Sequence, residues 1–267
     1  MWNAEGAKTT FERSQKHHEN FDLLLLSETF ATKSFEIENF TCVHSPARQP
    51  AKGRPIGGLT IAINKRFRHS AKEIYNSEHI LLVSLSNCTT KLMLCYFQPA
   101  YNIGNILNEI ENALDYLEDK HPVIVCGDFN CRIDHSNQRG VDLLAFFSAN
   151  DFECLNDPTK ETYVAHNGWS TIDLIFTRNT AQSFTEVVPT HITKHHMVTA
   201  FLDLNPTHNP LKQPSIQKID LISLSSLLTT LDMPENSSDI DTFYEIFVSA
   251  LQSIRKLSEK TNFQTLV

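Results

Sequence analysis

The chain has 267 residues, 41% of them hydrophobic, and a formal net charge of −8. That is enough apolar material for one large α/β or sandwich domain, or for a domain with a tail. The acidity argues against binding nucleic acid with the whole surface, because phosphate affinity comes from cations.

No apolar run approaches the roughly 18 to 20 residues that span a bilayer. Met1-Trp2-Asn3-Ala4-Glu5-Gly6 lacks the basic and apolar regions of a secretory leader. The expectation is a nuclear or cytoplasmic protein, neither secreted nor membrane-bound, whose six cysteines are buried reduced thiols.

Ala7–Asn20 reads as a weak helix, polar but for Phe11. Short apolar runs bounded by turn residues then predict strands at Asp22–Leu26, Gly58–Asn64, Ile80–Leu85 and Leu92–Phe97. Between Glu38 and Glu73 there is no acidic residue, while Arg48, Lys52, Arg54, Lys65, Arg66, Arg68 and Lys72 supply seven cations. Such a tract can follow a nucleic-acid backbone even in an acidic chain, although a solvated basic loop has the same composition.

Ile106, Leu107, Ile110, Ala113, Leu114 and Leu117 fall on one helical face. Further strands are expected at Val123–Cys126, Glu153–Leu155, Thr171–Thr177 and Val198–Leu204, with a second helix over Asp142–Asn150. The domain is assigned to residues 2–204. A Pro-punctuated linker follows at 205–217, and two amphipathic helices at 218–267 form a helical extension.

Acids and other polar groups recur at strand ends. Gly127-Asp128-Phe129-Asn130 follows an apolar strand, and residues two apart on an extended backbone project to the same side. Leu23–Leu26 runs into Glu28, Leu92–Cys95 into Tyr96, Asp173 lies within a strand, and His195-His196 opens the last one. Each has a bland reading as a strand terminator, core-edge aromatic, capping acid or surface histidine. Together they are the parts of a metal-assisted phosphodiester hydrolysis site.

In that order, Asn3-Ala4-Glu5-Gly6, Ser27-Glu28-Thr29, Gly57-Gly58-Leu59, Tyr96, the Asp128 tetrad, Ser170-Thr171-Ile172-Asp173 and His196 resemble the endonuclease/exonuclease/phosphatase superfamily. The Ser-Glu-Thr segment, the glycine pair after a basic loop, and Glu161-Thr162-Tyr163 are most similar to the apurinic-like endonuclease domain of non-LTR retrotransposons of the jockey/CR1 kind. The resemblance implies a four-layered α/β sandwich: two face-to-face sheets flanked by helices, here with the first strand nearly missing. The two C-terminal helices resemble the start of a connector to a reverse transcriptase.

It also implies roles. Glu28 would be the main Mg²⁺ (or Mn²⁺) carboxylate with Glu5 as second metal residue, and Asn3 would hydrogen-bond within the site. Asp128 would orient the attacking water, Asn130 would fix Asp128 and the phosphate, and Tyr96 would donate to a phosphate oxygen. Asp173 would hold His196, with Thr162 in support. Arg48, Lys52, Arg54, Lys65, Arg66 and Arg68 would contact the backbone of DNA, and the chain is expected to be a monomer.

Two departures stand out. The family closes on Ser-Asp-His, and the corresponding residues are read as Lys194-His195-His196, with His195 replacing the aspartate beside the metal. Only Met1 and Trp2 precede Asn3, which reads as a clipped first strand and so a truncated frame. The implied activity is single-strand nicking of DNA leaving a 3′-hydroxyl. The alternatives are a catalytically dead relic, or the same fold acting on a lipid phosphodiester. The pair His191 and His195 has zinc-like spacing but no further spaced ligands.

Overall fold

The computed structural model describes residues 1–7, 10, 20–67, 69–86, 88–118, 120–133, 137–166, 168–180 and 184–202. The expected linker at 205–217, the helical extension at 218–267 and most of the Ala7–Asn20 helix lie outside them.

Two sheets face each other. The first has the order β1(Trp2–Asn3)-β2(Leu23–Ser27)-β4(Leu59–Asn64)-β3(Phe40–Ser45). The second has the order β5(Ala71–Asn76)-β6(Ile80–Leu85)-β7(Lys91–Tyr96)-β8(Val123–Asp128)-β12(Asp173–Arg178)-β9(Glu153–Cys154). Both are mixed, with β1 parallel to β2 and β7 parallel to β8. Two hairpins complete the set, β10(Tyr163–Ala165) with β11(Gly168–Ser170) and β13(Phe184–Val188) with β14(Met197–Phe201).

The strands form where the apolar runs are longest. Every residue of β4, β8 and β12 is buried, as expected of strands covered on both faces. Their side chains alternate between two cores. Ile61, Leu94, Ile124, Cys126 and Ile175 meet between the sheets. Met93, Val125, Leu174 and Phe176 face out onto helices α1(Ile103–Leu114) and α2(Gln138–Ala149), through Ile106, Ile110, Leu143 and Phe147.

Asn102 starts α1, its side chain accepting from the Gly104 amide at 2.8 Å. A third cluster, Trp2, Leu24, Leu26, Ile37, Phe40 and Ala62, covers the outer face of the first sheet. This is the α/β sandwich expected from the sequence.

Parallel β7 and β8 put their C-terminal ends, Tyr96 and Asp128, side by side, and antiparallel β12 brings Asp173 opposite Asp128. The close approach at this rim requires Gly127: a Cβ there would lie 2.1 Å from the Cys95 carbonyl oxygen. The first strand is short, yet it is threaded on both sides. Trp2 pairs with Leu26 of β2. Met1 exchanges two main-chain hydrogen bonds with Val198 of β14, at 2.7 and 3.0 Å.

Candidate active site

Asp128 sits at the end of β8 and is buried. Its Oδ2 accepts from Asn3 Nδ2 at 2.8 Å, and its Oδ1 from the Asn130 backbone amide at 3.0 Å. The Asn130 side chain donates to the Phe97 carbonyl at 2.9 Å. Asn3 Oδ1 in turn accepts from the Glu5 amide at 3.1 Å, tying the two N-terminal polar residues together.

Opposite stands the pair Asp173 and His195, both buried. His195 Nδ1 lies 2.8 Å from Asp173 Oδ2, and His195 Nε2 is 3.9 Å from Asp128 Oδ2. Burial works to lower the basicity of His195, but the Asp173 carboxylate, its hydrogen bond, and the nearby Asp128 and Glu5 together lift its pKa to about 9. The ring is therefore an imidazolium at neutral pH.

Asp128 is pushed up to about 8, first by burial and then by the Asp173 charge, against the pull of His195, Asn3 and Asn130. Oδ1 of Asp173 is buried with no hydrogen-bond partner among the described residues. Asp128, Asp173 and His195 each offer a ligand atom within 4.8 Å of the others.

Thr162 holds this pair in place. Its hydroxyl accepts from the Ile172 and Asp173 amides, each at 3.0 Å, and its carbonyl accepts from the His196 amide at 2.7 Å. Asn156 adds a bond from Nδ2 to the Asp173 carbonyl at 3.0 Å.

The pairing expected between Asp173 and His196 is thus made by His195. Neighbouring residues on extended backbone point to opposite sides, and the bridge between Tyr163 and His195 turns His195 inward. His196 Nδ1 instead accepts from the Thr190 amide at 3.3 Å. Counted back from the histidine that pairs with Asp173, the closing motif reads Thr193-Lys194-His195, so that Lys194, not His195, falls where the resembled family carries aspartate. Lys194 is exposed, with its backbone amide 3.3 Å from Glu5 Oε2.

Glu28 follows β2 on the same rim. The hydroxyl of buried Tyr96 donates to its carboxylate, so in this structure Tyr96 serves Glu28. Burial and the Glu28 charge raise the Tyr96 pKa, keeping the phenol protonated. Glu5 and Glu28 lie on adjoining main chain, the Gly6 amide donating to the Glu28 carbonyl at 2.9 Å. Glu5, Glu28 and Asn130 all adopt left-handed backbone, with φ of 41°, 49° and 48°, a conformation that costs non-glycine residues about 1–3 kcal/mol each. Three such residues on one rim is the clustering expected of a functional site.

The basic tract is divided by the fold. Arg48, Lys52 and Arg54 are exposed on the loop leading to Gly58, whose carbonyl accepts from the Thr29 amide next to Glu28. Arg54 lies 4.6 Å over the Phe30 ring, and Arg48 pairs with Glu78 at 2.7 Å. Lys65 and Arg66 follow the opposite end of β4, about 17–20 Å away at strand rise, and Arg66 pairs with Asp22 at 3.2 Å. Arg68 lies outside the described residues.

Two groups escaped the sequence reading. The Trp2 indole donates to Thr193 Oγ1 and the His195 carbonyl, both at 3.2 Å, and the Tyr163 ring sits 4.7 Å from the His195 ring. Thr193, as the hydroxyl counterpart of the family's serine, was the available signal.

A family model described as "Endonuclease-reverse transcriptase" matches residues 90–200. The probable RNA-directed DNA polymerase of the Drosophila melanogaster transposon X-element is 24% identical over 98% of this chain and 28% of its own length. That of transposon BS, from the same organism, is 24% identical over 79% of this chain and 23% of its own. The chain thus spans about a quarter of the curated relatives it matches.

Among solved structures, the endonuclease domain of TRAS1, a telomere-specific non-LTR retrotransposon, has a TM-score of 0.55 at 15% identity, covering 76% of this chain and 94% of its own. An AP endonuclease from Archaeoglobus fulgidus has a TM-score of 0.57 at 13% identity, covering 75% and 97%. These two likenesses show the fold. The family model and the curated relatives add that the chain is similar to endonuclease-reverse transcriptase sequences and to transposon polymerases.

Proposed function

We propose that this domain is a metal-dependent endonuclease that nicks one strand of DNA by phosphodiester hydrolysis. The observation that carries the reading is the facing arrangement of Asp128 and the Asp173–His195 pair, 3.9 Å apart on a rim that also bears Glu28. In this reading Asp128, fixed by Asn3 and Asn130, orients the attacking water. His195, held charged by Asp173, donates to the scissile phosphate as negative charge builds there. Arg48, Lys52 and Arg54 track the DNA backbone.

The donors fit a hard divalent cation, since the rim offers carboxylate oxygens and Asp173 keeps one buried oxygen unpartnered. Glu28 and Glu5 would hold Mg²⁺ or Mn²⁺. The ion would supply Lewis-acid polarisation of the phosphate. Incubating supercoiled plasmid with the protein and Mg²⁺ or Mn²⁺ tests the proposal. Open-circular product that disappears in Asp128→Ala is expected, and intact plasmid at every protein concentration refutes it.

A second reading, a relic that has lost activity, rests on Lys194. A cation beside Glu5, where the family has a carboxylate, weakens the metal site. Nicking that appears only in Lys194→Asp would establish that reading. A panel adding phosphoinositide and sphingomyelin substrates separates both from a lipid phosphodiesterase.

A further inference from the structure

Phe97 follows Tyr96 at the end of β7 and bonds to both polar members of the Asp128 tetrad. Its amide donates to the Asp128 carbonyl at 3.0 Å, and its carbonyl accepts from Asn130 Nδ2 at 2.9 Å. A carbonyl can only accept, so this contact fixes which end of the Asn130 side chain turns toward it. The Phe97 ring is wholly buried and stacks on His79 at 5.5 Å and on Tyr101 at 6.0 Å. The Tyr101 amide closes the loop by donating to the Gln98 carbonyl at 2.9 Å. Whatever holds the segment Phe97–Tyr101 therefore holds Asn130.

Two charged side chains on the outer helices hold it. Glu109 of α1 uses both carboxylate oxygens: Oε1 accepts from the Tyr101 hydroxyl, and Oε2 lies 3.1 Å from His79 Nδ1. The His79 carbonyl in turn accepts from the Tyr96 amide at 2.9 Å. Arg139, in the first turn of α2, donates from Nη1 to the Pro99 carbonyl at 2.6 Å and from Nε to Cys131 Sγ at 3.0 Å. It thus braces the loop after β7 against the residue that follows Asn130. The start of α2 is itself fixed, since a Cβ at Gly140 would lie 1.6 Å from the Arg132 carbonyl oxygen.

A glutamate on an outer helix and an arginine at a helix start are ordinarily solvated surface residues. Here each ties together separate elements, and both connections lead to Asn130. That residue has left-handed backbone, which persists only where its surroundings over-determine it.

We propose that Glu109 and Arg139 are positioning residues for Asn130, acting through the Phe97–Tyr101 segment to set its side-chain amide beside Asp128. Neither side chain bonds to Asp128, Asn130 or His195 itself. Their effect on rate rests on the rim being the nicking centre proposed above, whereas their hold on the loop does not.

Plasmid nicking is measured in Glu109→Ala, Arg139→Ala and Tyr101→Phe, the last removing one hydroxyl from the loop while keeping its ring. Each is expected to lower kcat about tenfold, the cost of a small misplacement, with KM changed by less than about twofold. Glu109→Gln, which can still accept from Tyr101, is expected to recover most of the lost rate. Amide exchange in the three variants is expected to quicken at Phe97 and Asn130 and to stay at the parent rate in β4 and β12.

Unchanged kcat in all three, with exchange at Asn130 unaltered, would overturn the proposal. So would a loss of rate that accompanies lost protection throughout β4 and β12, because the two residues would then serve stability alone. A parent chain that does not nick would refute the nicking centre instead. Exchange at Phe97 and Asn130 then decides the positioning by itself.

Discussion

His195 Nδ1 meets Asp173 Oδ2 at 2.8 Å, in a setting where both groups are almost wholly withdrawn from solvent. The partner carboxylate accounts for the charged ring and for its orientation, and the second ring nitrogen is left facing Asp128. Adjacent His196 shares none of this, its ring accepting from the Thr190 amide. If nicking is the activity, His195→Ala lowers its rate by about 10²-fold or more, while His196→Ala stays within a few-fold of the parent. Plasmid nicking rates of the two variants decide it, and the reverse order would sink the assignment.

Lys194 gives a second test, and the structure inverts the expectation drawn from the sequence. Restoring an aspartate at His195 would remove the partner of Asp173 and is expected to abolish nicking. Lys194→Asp instead adds a carboxylate next to Glu5 and removes a cation. The concentration of Mg²⁺ giving half-maximal nicking is expected to fall by about tenfold, the effect of roughly 1.4 kcal/mol. A metal titration reads it directly.

Thr162 carries two amides on one hydroxyl. Thr162→Val keeps the shape and strands the Ile172 and Asp173 N–H groups, at about 1–3 kcal/mol for each unsatisfied buried group. A drop in melting temperature of about 2–4 °C per kcal/mol is expected. Thr162→Ser, which keeps the acceptor, is expected to retain most of the stability, and thermal melts of the two variants compare them.

The buried cluster also sets a pH dependence. Asp128 binds its proton more tightly in the folded chain, with a pKa of about 8 against an ordinary 3.8, so its contribution to stability falls as pH rises from 3.8 through 8. His195, raised from 6.5 to about 9, contributes stability that is complete below 6.5 and lost as pH rises through 9. The buried Met1 amino group, whose pKa is lowered by burial, acts in the opposite sense.

Comparing the wild type with Asp128→Asn removes that shared opposing effect. The variant's melting temperature is expected to gain on the wild type steadily between pH 5 and 8. A constant difference across that range would contradict the burial of an unfavourable charge at Asp128.

Much of this architecture was legible in the sequence. Strands β4, β7, β8 and β12 announce themselves because burial on both faces demands unbroken apolar runs. Strands β3 and β5 escaped because they are the edges of their sheets and alternate weakly: only Phe40 and Ser45 are buried in β3, and no residue is in β5.

At the site, Asp128 and Glu28 were visible as acids at the ends of apolar strands. Choosing between His195 and His196 was not possible locally, because the two are chemically identical and the choice is made by contact with Tyr163, 32 positions away. The same holds for the basic tract, contiguous in sequence but cut in two by the length of β4.

The Trp2 indole, bridging to Thr193 and the His195 carbonyl across more than 190 positions of sequence, has a consequence for biosynthesis. Residues at the start of the domain and others nearly at its end must meet before the histidine is set. A nascent chain therefore carries no assembled centre until about residue 200 has cleared the exit tunnel.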